Sequence, residues 1–409
     1  MPEPSKSAES PWDERPNSIG SRPIRTLHVD IEGGWGGSSR SLYELLSRLD
    51  RRRIQPLVAH RQMGPMVERY REIGIETFHV PEIVSFAPRT SKSGRIFLAK
   101  LPQFRSIPRC LRTLSRIAED HEVKLVHLNH EGLFILAPSL KRKLRVPLLC
   151  HSRILIQRNF WGRWLVKTLA NCVDHMFFIS SQEEEHFTAL LKKPGPPRSI
   201  LWNISFEPPG REPMGPVPEA VYLGNIDSRK GTDRLIDIAK ELEALQAPPL
   251  KIAVYGVARE EKEMEAAMRK EITSSRLEKR LAFMGYIEKP QGILPRAFAL
   301  IRPSRVSDPW GRDVIEATTC GVPVLATGTY QGVIEHGVNG FLFEPFDARA
   351  MAETLVELLN DRDLWQQLSN AGMEKGRGVF SGREQVPLVT SVIEALAVPS
   401  VFPPRISHQ

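Results

Sequence analysis

The sequence holds only four cysteines, Cys110, Cys150, Cys172 and Cys320, and no two of them lie at a spacing that pairs them. That excludes a disulfide-stapled secreted scaffold, and the four read as reduced, mostly buried thiols of a cytosolic protein. Long apolar runs are also missing: none approaches the ~18 residues of a membrane span. The first residues carry Glu3, Glu9 and Asp13 among Pro and Ser with no apolar stretch, so a Sec-type signal is not expected. Residues 1–22 read as a flexible tail, and 398–409 as another. No paired-Cys or Glu-x-x-His spacing points to a metal, so none is expected. The Gly spacing of a dinucleotide fingerprint is absent. Basic clusters occur, but no nucleic-acid motif accompanies them, and no nucleic-acid partner is expected.

What is present fits a two-domain globular protein. The chain has 409 residues, too many for one ordinary core, with 41% hydrophobic and 25% charged residues. Charge is uneven. Residues 1–205 hold 32 Lys and Arg against 20 Asp and Glu, a net +12, while the remainder holds 24 against 28, a net −4. A basic N-terminal half suggests an anionic partner. The clusters Arg51-Arg52-Arg53 and Lys141-Arg142-Lys143-Leu144-Arg145 fit acidic headgroups, a phosphate-bearing substrate or simply a solvated face. Phe160-Trp161-Gly162-Arg163-Trp164 fits either a surface for a lipid-linked or polymeric glycan or a packed helix face.

Strand-like runs alternate with amphipathic stretches. The first series of strands is Thr26–Ile31, Pro56–Ala59, Thr77–Val80, Lys124–Leu128, Pro147–Cys150, His175–Ser180 and Ile200–Trp202. Helical patterns cover Ser39–Leu49, Pro65–Ile73, Ile107–Ala118 and Gln182–Leu191. Phe206–Pro218, with five Pro and two Gly, reads as a linker between a first domain over 23–205 and a second over 219–377. The second series has strands Ala220–Leu223, Lys251–Tyr255, Leu281–Met284, Phe298–Ile301 and Val322–Ala326. Its helices are Thr232–Leu245, Glu260–Ser274, Asp313–Thr319, Ala348–Leu359 and Asp363–Gly372. After a Gly-rich break from Gly376 to Gly382, a last helix over Glu384–Leu396 is expected to cross back to the first domain. Alternation of this kind predicts two α/β, doubly wound, Rossmann-like domains with parallel sheets, and ligands in the cleft outside their carboxyl strand ends.

Chemistry concentrates at the expected strand ends. The first turn, Asp30-Ile31-Glu32-Gly33-Gly34-Trp35-Gly36-Gly37-Ser38-Ser39-Arg40, is either a tight corner or a place where backbone approaches a ligand, with Ser38 or Ser39 capping the helix. The matching turn of the second domain, Leu223-Gly224-Asn225-Ile226-Asp227-Ser228-Arg229-Lys230-Gly231, places two cations before a helix, which suits a diphosphate, the alternative being an exposed basic turn. His151 follows a strand into the cleft, where an imidazole can donate to a sugar hydroxyl or carbonyl. Asp308 and Glu316 lie eight positions apart, the first in a turn and the second in a helix. Together they suit a ligand carrying phosphates and hydroxyls.

In this order and spacing the motifs resemble the GT-B glycosyltransferases of family 4, retaining enzymes that use nucleotide-sugar donors, from about Arg25 to Leu396. The resemblance rests on Gly36-Gly37, His151, Asn203, Gly224 with Lys230-Gly231, and Pro303-Ser304. It rests further on Asp308-Pro309-Trp310-Gly311 with Glu316, on Gly321–Val324 and on Gly337–Gly340. It implies that Lys230 binds the donor diphosphate, with Gly224 and Arg229 in the same turn. Glu316 would bind the ribose hydroxyls, and Asp308, Pro309, Trp310 and Gly311 would lie along the transferred sugar. Tyr286 and Ile287 would meet the base, Gly36 and Gly37 would admit acceptor and phosphate, and His151 would orient the sugar. The chain departs from the family at Asn225, where Arg is usual, at Asp308, where Glu is usual, and at Gly332, near the position of a usual Glu.

The activity implied is transfer of a hexosyl group from a nucleotide diphosphate sugar to a hydroxyl of a glycan or lipid-linked acceptor, in bacterial surface polysaccharide or glycolipid synthesis. No cofactor or essential metal is expected. The location implied is the cytoplasm, with peripheral contact to an anionic membrane at its inner face. Two other readings share the fold: a nucleotide-sugar epimerase, which needs acids and bases beyond His151, and a nucleotide-sugar-binding protein weakened by Asn225 and Gly332.

Overall fold

The computed structural model describes residues 22–33, 36–86, 101–208, 210–258, 261–306 and 310–397. Residues 1–21 and 398–409 of the two expected tails, and the site candidates Asp308 and Pro309, lie outside those residues.

The first half runs β1 (Ile24–Asp30), α1 (Gly37–Leu46), β2 (Ile54–His60), α2 (Pro65–Glu72), β3 (Glu76–His79), α3 (Ile107–Asp120) and β4 (Leu125–Leu128). It continues with α4 (Ala137–Leu144), β5 (Leu148–Ser152), α5 (Phe160–Cys172), β6 (His175–Phe178), α6 (Ser181–Thr188) and β7 (Arg198–Ile200). Its seven strands pair in the order β3-β2-β1-β4-β5-β6-β7, all parallel. The second half runs β8 (Glu219–Leu223), α7 (Arg234–Ala244), β9 (Lys251–Tyr255), α8 (Lys262–Ser274), β10 (Leu281–Gly285), β11 (Ala299–Arg302) and α9 (Arg312–Thr319). Then come β12 (Val324–Thr327), β13 (Gly340–Phe343), α10 (Ala348–Asn360), α11 (Arg362–Val379) and α12 (Gln385–Ala397). Its six strands pair in parallel in the order β10-β9-β8-β11-β12-β13. Helices cover both faces of each sheet, so central strands such as Leu57–Ala59 are buried throughout. Strand order reverses between β1 and β4 and between β8 and β11, which opens a crevice at each carboxyl edge. This is the α/β, GT-B architecture expected from the sequence.

The Gly-rich break expected from Gly376 to Gly382 is shorter in the structure. Helix α11 continues through Gly372 and Gly376 to Val379, past the expected end at Gly372. The glycines are there for packing. A Cβ at Gly376 would lie 2.5 Å from Thr319 Cα, and one at Gly372 would lie 3.2 Å from Thr318 O, so α11 rests directly on the end of α9. Only Gly382, at φ +92°, belongs to the turn. Helix α12 then crosses to the first domain. Val389 and Ile393 pack with Leu42, Leu45, Val58, Leu125 and Phe177, and Arg53 grips Glu394 through two bonds of 2.8 and 2.6 Å. Strand β13 and helices α4 and α5 were not among the expected elements. Helix α5 holds a buried Gly162, where a Cβ would meet Gln157 O at 1.9 Å, and that close turn obscures its start.

Among the buried histidines of the first sheet are His28, His127, His151 and His175. His28 and His127 are register partners, with Nδ1 atoms 2.9 Å apart, and the His127 and His151 rings are 6.0 Å apart. Burial holds all four neutral: His28 is lowered to about 3 and His175 to about 4, and His127 and His151 lie well below the usual value. In the unfolded chain each takes up a proton below about pH 6.5. The unfolded state therefore binds more protons in that range, and stability falls as pH drops. Asp30, pushed up to about 6 by burial, opposes this as a single group. Thermal melts should show Tm falling progressively from about pH 6.5 toward 5, each histidine removing up to ~1.4 kcal/mol of unfolding free energy per pH unit. A flat Tm over that range would contradict neutral burial.

Candidate active site in the cleft between the two sheets

On the first-domain side, the site is built around the end of β1. Asp30 accepts from Ser39 Oγ at 2.5 Å and from Asn129 Nδ2 at 3.0 Å. Ser39 is thus spent on Asp30 rather than on capping α1, whose N-cap is Gly36 with no side-chain cap. The expected Ser cap is corrected accordingly: a buried carboxylate competes for the hydroxyl and wins. Gly37 lies exposed at the start of α1, and Arg40 in the first turn points across the cleft.

His151 sits next to last in β5, 2% exposed. Its Nδ1 lies 3.1 Å from a guanidinium nitrogen of Arg153. An arginine N–H can only donate, so Nδ1 is the acceptor and the proton resides on Nε2. Nε2 makes no hydrogen bond among the described residues. Beside it is a small cavity with room for about one water, ≈10 Å³, lined by Ser41, Arg153, Trp202, Asn203 and Ile204 among others. Arg153 was not singled out from the sequence. It donates to Asn129 O at 2.8 Å, Asn129 Oδ1 at 2.8 Å and Asn203 Oδ1 at 3.1 Å. Burial lowers its guanidinium to about 10, with Asp30 and Glu131 pulling it back up, so it remains a cation. The sequence signal for it is a charge directly after an apolar strand that is buried on both faces.

On the second-domain side, the turn after β8 is fixed by its own side chains. Asp227 Oδ1 accepts from Lys230 N at 2.6 Å, Thr232 Oγ1 donates to Tyr222 Oη at 3.0 Å, and that hydroxyl donates to Asn225 O at 2.7 Å. Gly224 and Gly231 have φ of +158° and +67°. A Cβ at Gly231 would lie 2.0 Å from Pro303 O, so no other residue fits where the turn meets the 303–305 segment. Arg229 is exposed, and its carbonyl accepts from Arg305 N at 3.0 Å. Lys230 is half-buried. Tyr286 is exposed just beyond β10, with Ile287 half-buried beside it.

Helix α9 begins at Arg312, with Gly311 as its N-cap. Trp310 Nε1 donates to Gln182 Oε1 of the first domain at 3.1 Å, and Tyr330 Oη lies 3.2 Å from Ser181 Oγ. Glu316, 1% exposed, is the centre of the cleft contacts. Its Oε1 accepts from Arg312 Nε at 3.1 Å, from an Arg312 Nη at 2.7 Å and from an Arg40 Nη at 3.0 Å. The other Arg312 Nη reaches Ser41 Oγ and Ile204 O, each at 3.2 Å. The structure therefore brings Gly37, Glu316 and the opening of α9 together across the cleft. The 224–231 turn stands beside the segment that leads into α9. His151 lies on the cleft floor. Arg40 and Arg312, which hold Glu316, were not among the sequence candidates. Arg312 could have been suspected as a charge next to the helix-opening Gly311. Among the described residues, no group of three or more His, Cys, Asp or Glu side chains is placed to hold a metal.

Comparison with known proteins covers both halves. Residues 211–375 match the family described as Glycosyl transferases group 1, and residues 35–200 match Glycosyltransferase Family 4. An uncharacterised glycosyltransferase of Methanocaldococcus jannaschii is 24% identical over 81% of this chain and 93% of its own length. Mannosylfructose-phosphate synthase of Agrobacterium fabrum is 30% identical over 39% of this chain, which is 36% of its own length. Among solved structures, Anabaena HepE in complex with UDP-glucose superposes with a TM-score of 0.72 at 18% identity, covering 91% of this chain and all of that one. Sucrose-phosphate synthase of Thermosynechococcus elongatus gives 0.69 at 19% identity, covering 91% and 99%. On these matches, and on its two facing parallel sheets, the chain belongs to family 4 of the GT-B glycosyltransferases and is a glycosyltransferase.

Proposed function

We propose that this enzyme transfers a hexosyl group from a nucleotide diphosphate sugar to an acceptor hydroxyl with retention of anomeric configuration, in surface polysaccharide or glycolipid synthesis. The observation that carries the reading is a buried carboxylate, Glu316, in the helix that follows the 303–305 segment, against which the glycine-flanked basic turn Arg229-Lys230 is seated. Lys230 and the free N–H groups of helix starts meet the diphosphate, and Glu316 accepts from the ribose hydroxyls. Tyr286 and Ile287 flank the base, and Gly36 and Gly37 leave room for the acceptor. The neutral His151, with its proton on Nε2, offers a hydrogen bond to the sugar when the cavity beside it widens on cleft opening. Asp308, Pro309, Trp310 and Gly311 line the transferred sugar.

In the reaction the bond from the anomeric carbon to the diphosphate oxygen breaks, and a bond from that carbon to the acceptor oxygen forms on the same face. The acceptor proton passes to the departing diphosphate. Nothing is oxidised or reduced, and the charge that develops on the leaving group is met by fixed cations without an essential metal. Closure about the 206–218 linker excludes water.

The test is incubation with a panel of nucleotide sugars and hydroxyl acceptors, with the product anomer read by NMR. Free nucleoside diphosphate plus a retained glycoside supports the proposal. An inverted glycoside, sugar isomerisation or binding without turnover overturns it. Lys230→Ala should lower kcat/KM by about 10²–10³ for the accepted donor, and unchanged turnover would remove Lys230 from the site.

A specific surface supports the membrane-facing part of the reading. A groove of ≈790 Å³ between α5 and the end of α6 is lined by Phe160, Trp164, Leu190 and Leu191, and by Arg163, Lys167, Lys192 and Lys193, with no carboxylate. Phe160 is 72% exposed. An apolar floor with a cationic rim suits an anionic bilayer surface. Co-sedimentation with phosphatidylglycerol vesicles should fall with added salt and in a Phe160→Ser, Lys192→Glu, Lys193→Glu variant. Partitioning that ignores salt, lipid charge and these changes ends the membrane reading.

A further inference from the structure

We propose that Arg312 and Arg40 are ligands of the donor diphosphate, held ready on Glu316 until the nucleotide arrives. The inference rests on the reading of Glu316 as the ribose acceptor. Two guanidinium groups share one carboxylate here: Arg40 from the first domain and Arg312 from the second. Their side chains are 30% and 9% exposed, and that of Glu316 is 2%. A surplus positive charge in so sheltered a place is costly unless an anion joins it. The buried Arg153 has its own counter-charges in Asp30 and Glu131 and does not share in this surplus.

The geometry favours a diphosphate as that anion. All three hydrogen bonds to Glu316 fall on one oxygen, Oε1. Of five N–H donors on each guanidinium, Arg40 spends one on Glu316, while Arg312 spends four on Glu316, Ser41 and Ile204 and keeps one for a further acceptor. Arg312 is the first residue of α9, where backbone N–H groups face outward, and the exposed Gly37 lies opposite it, with an added Cβ 3.6 Å from Arg312 Cδ. A ribose bonded to Glu316 carries its 5′-diphosphate a short, fixed distance away, within reach of side chains already anchored on that carboxylate. Guanidinium forks match phosphate oxygens bidentately. The arrangement also answers the chain's departure at Asn225: the cation missing from the phosphate turn is supplied from the start of α9. Because Arg40 comes from the opposite domain, a diphosphate taken by both arginines draws the cleft shut over the donor.

The test compares affinities for UDP, GDP and ADP and for the matching nucleosides, measured calorimetrically on the full chain. In Arg312→Leu, affinity for the diphosphate that the wild type binds should fall about tenfold or more. Affinity for the nucleoside should stay level or rise, because Glu316 is released to the ribose. Arg40→Ala should act in the same direction, and Arg312→Lys should recover part of the loss. Arg40 lies on the more exposed side, so its variant carries the prediction if Arg312→Leu does not fold. Equal weakening of nucleoside and diphosphate, or a lower Tm with both affinities intact, would show an interdomain clamp only and overturn the proposal. If Lys230→Ala weakens diphosphate binding and neither arginine variant does, the donor reading stands and this one falls. If no diphosphate binds the wild type, both fall.

Discussion

A carboxylate as deeply buried as Glu316 is costly unless cations or hydrogen-bond donors meet it. Here it finds them on both sides of a domain boundary, and one of them, Arg312, also reaches back to Ser41 and Ile204. The consequence is that the two domains are not merely adjacent. Their relative position brings Arg40 and Arg312 onto one carboxylate oxygen, and Glu316 is part of what keeps the two domains together. Removing either arginine alone leaves a buried acid short of a partner, which costs more than the hydrogen bond itself. A ligand that brings its own hydroxyls and negative charge can take over these roles without that penalty.

Most of the fold was legible because a parallel sheet covered on both faces demands apolar strands, and those runs stand out against the helices between them. The stretch between β7 and β8 is rich in proline, which continues neither element. Legibility failed where a residue's reason lay in a distant neighbour. Gly376 reads as a break but is a contact surface, since its missing side chain lets α11 touch Thr319. Helix α5 begins at an aromatic run with a glycine in its first turn, a pattern that local propensity does not favour.

The site divides the same way. Turn residues such as Gly224 and Gly231 are recognisable because positive φ and close approach leave few alternatives. Glu316 stands out as an acid inside an apolar helix. Arg153 and Arg312 do not, because a lone arginine in sequence is ordinary. What makes them matter is where the chain returns: Asn129 and Asn203 converge on Arg153 from 24 and 50 residues away, and Arg40 meets Glu316 across 276 residues. Spacing along the chain carries no trace of such meetings.

The contacts between the domains are of two kinds, and their difference bears on motion. Helix α12 is fixed to the first domain by apolar burial at Val389 and Ile393, which water cannot replace. Across the cleft mouth polar contacts, Trp310 with Gln182, Tyr330 with Ser181 and Glu316 with Arg40, stand beside an apolar one, Ile179 against the cluster that holds Trp310, Val314 and Val333. Polar contacts exchange with water or ligand at small net cost, whereas an apolar face does not. A swing about α12 and the linker has to exchange the polar bonds of the mouth and also to uncover Ile179, a smaller apolar contact than the face of α12. The backbone bond from Ser205 N to Phe380 O, 2.8 Å long, joins those two strands of chain at the pivot. On this argument the chain's last helix is the pin of the hinge, and the arginines on Glu316 are the latch at its free edge.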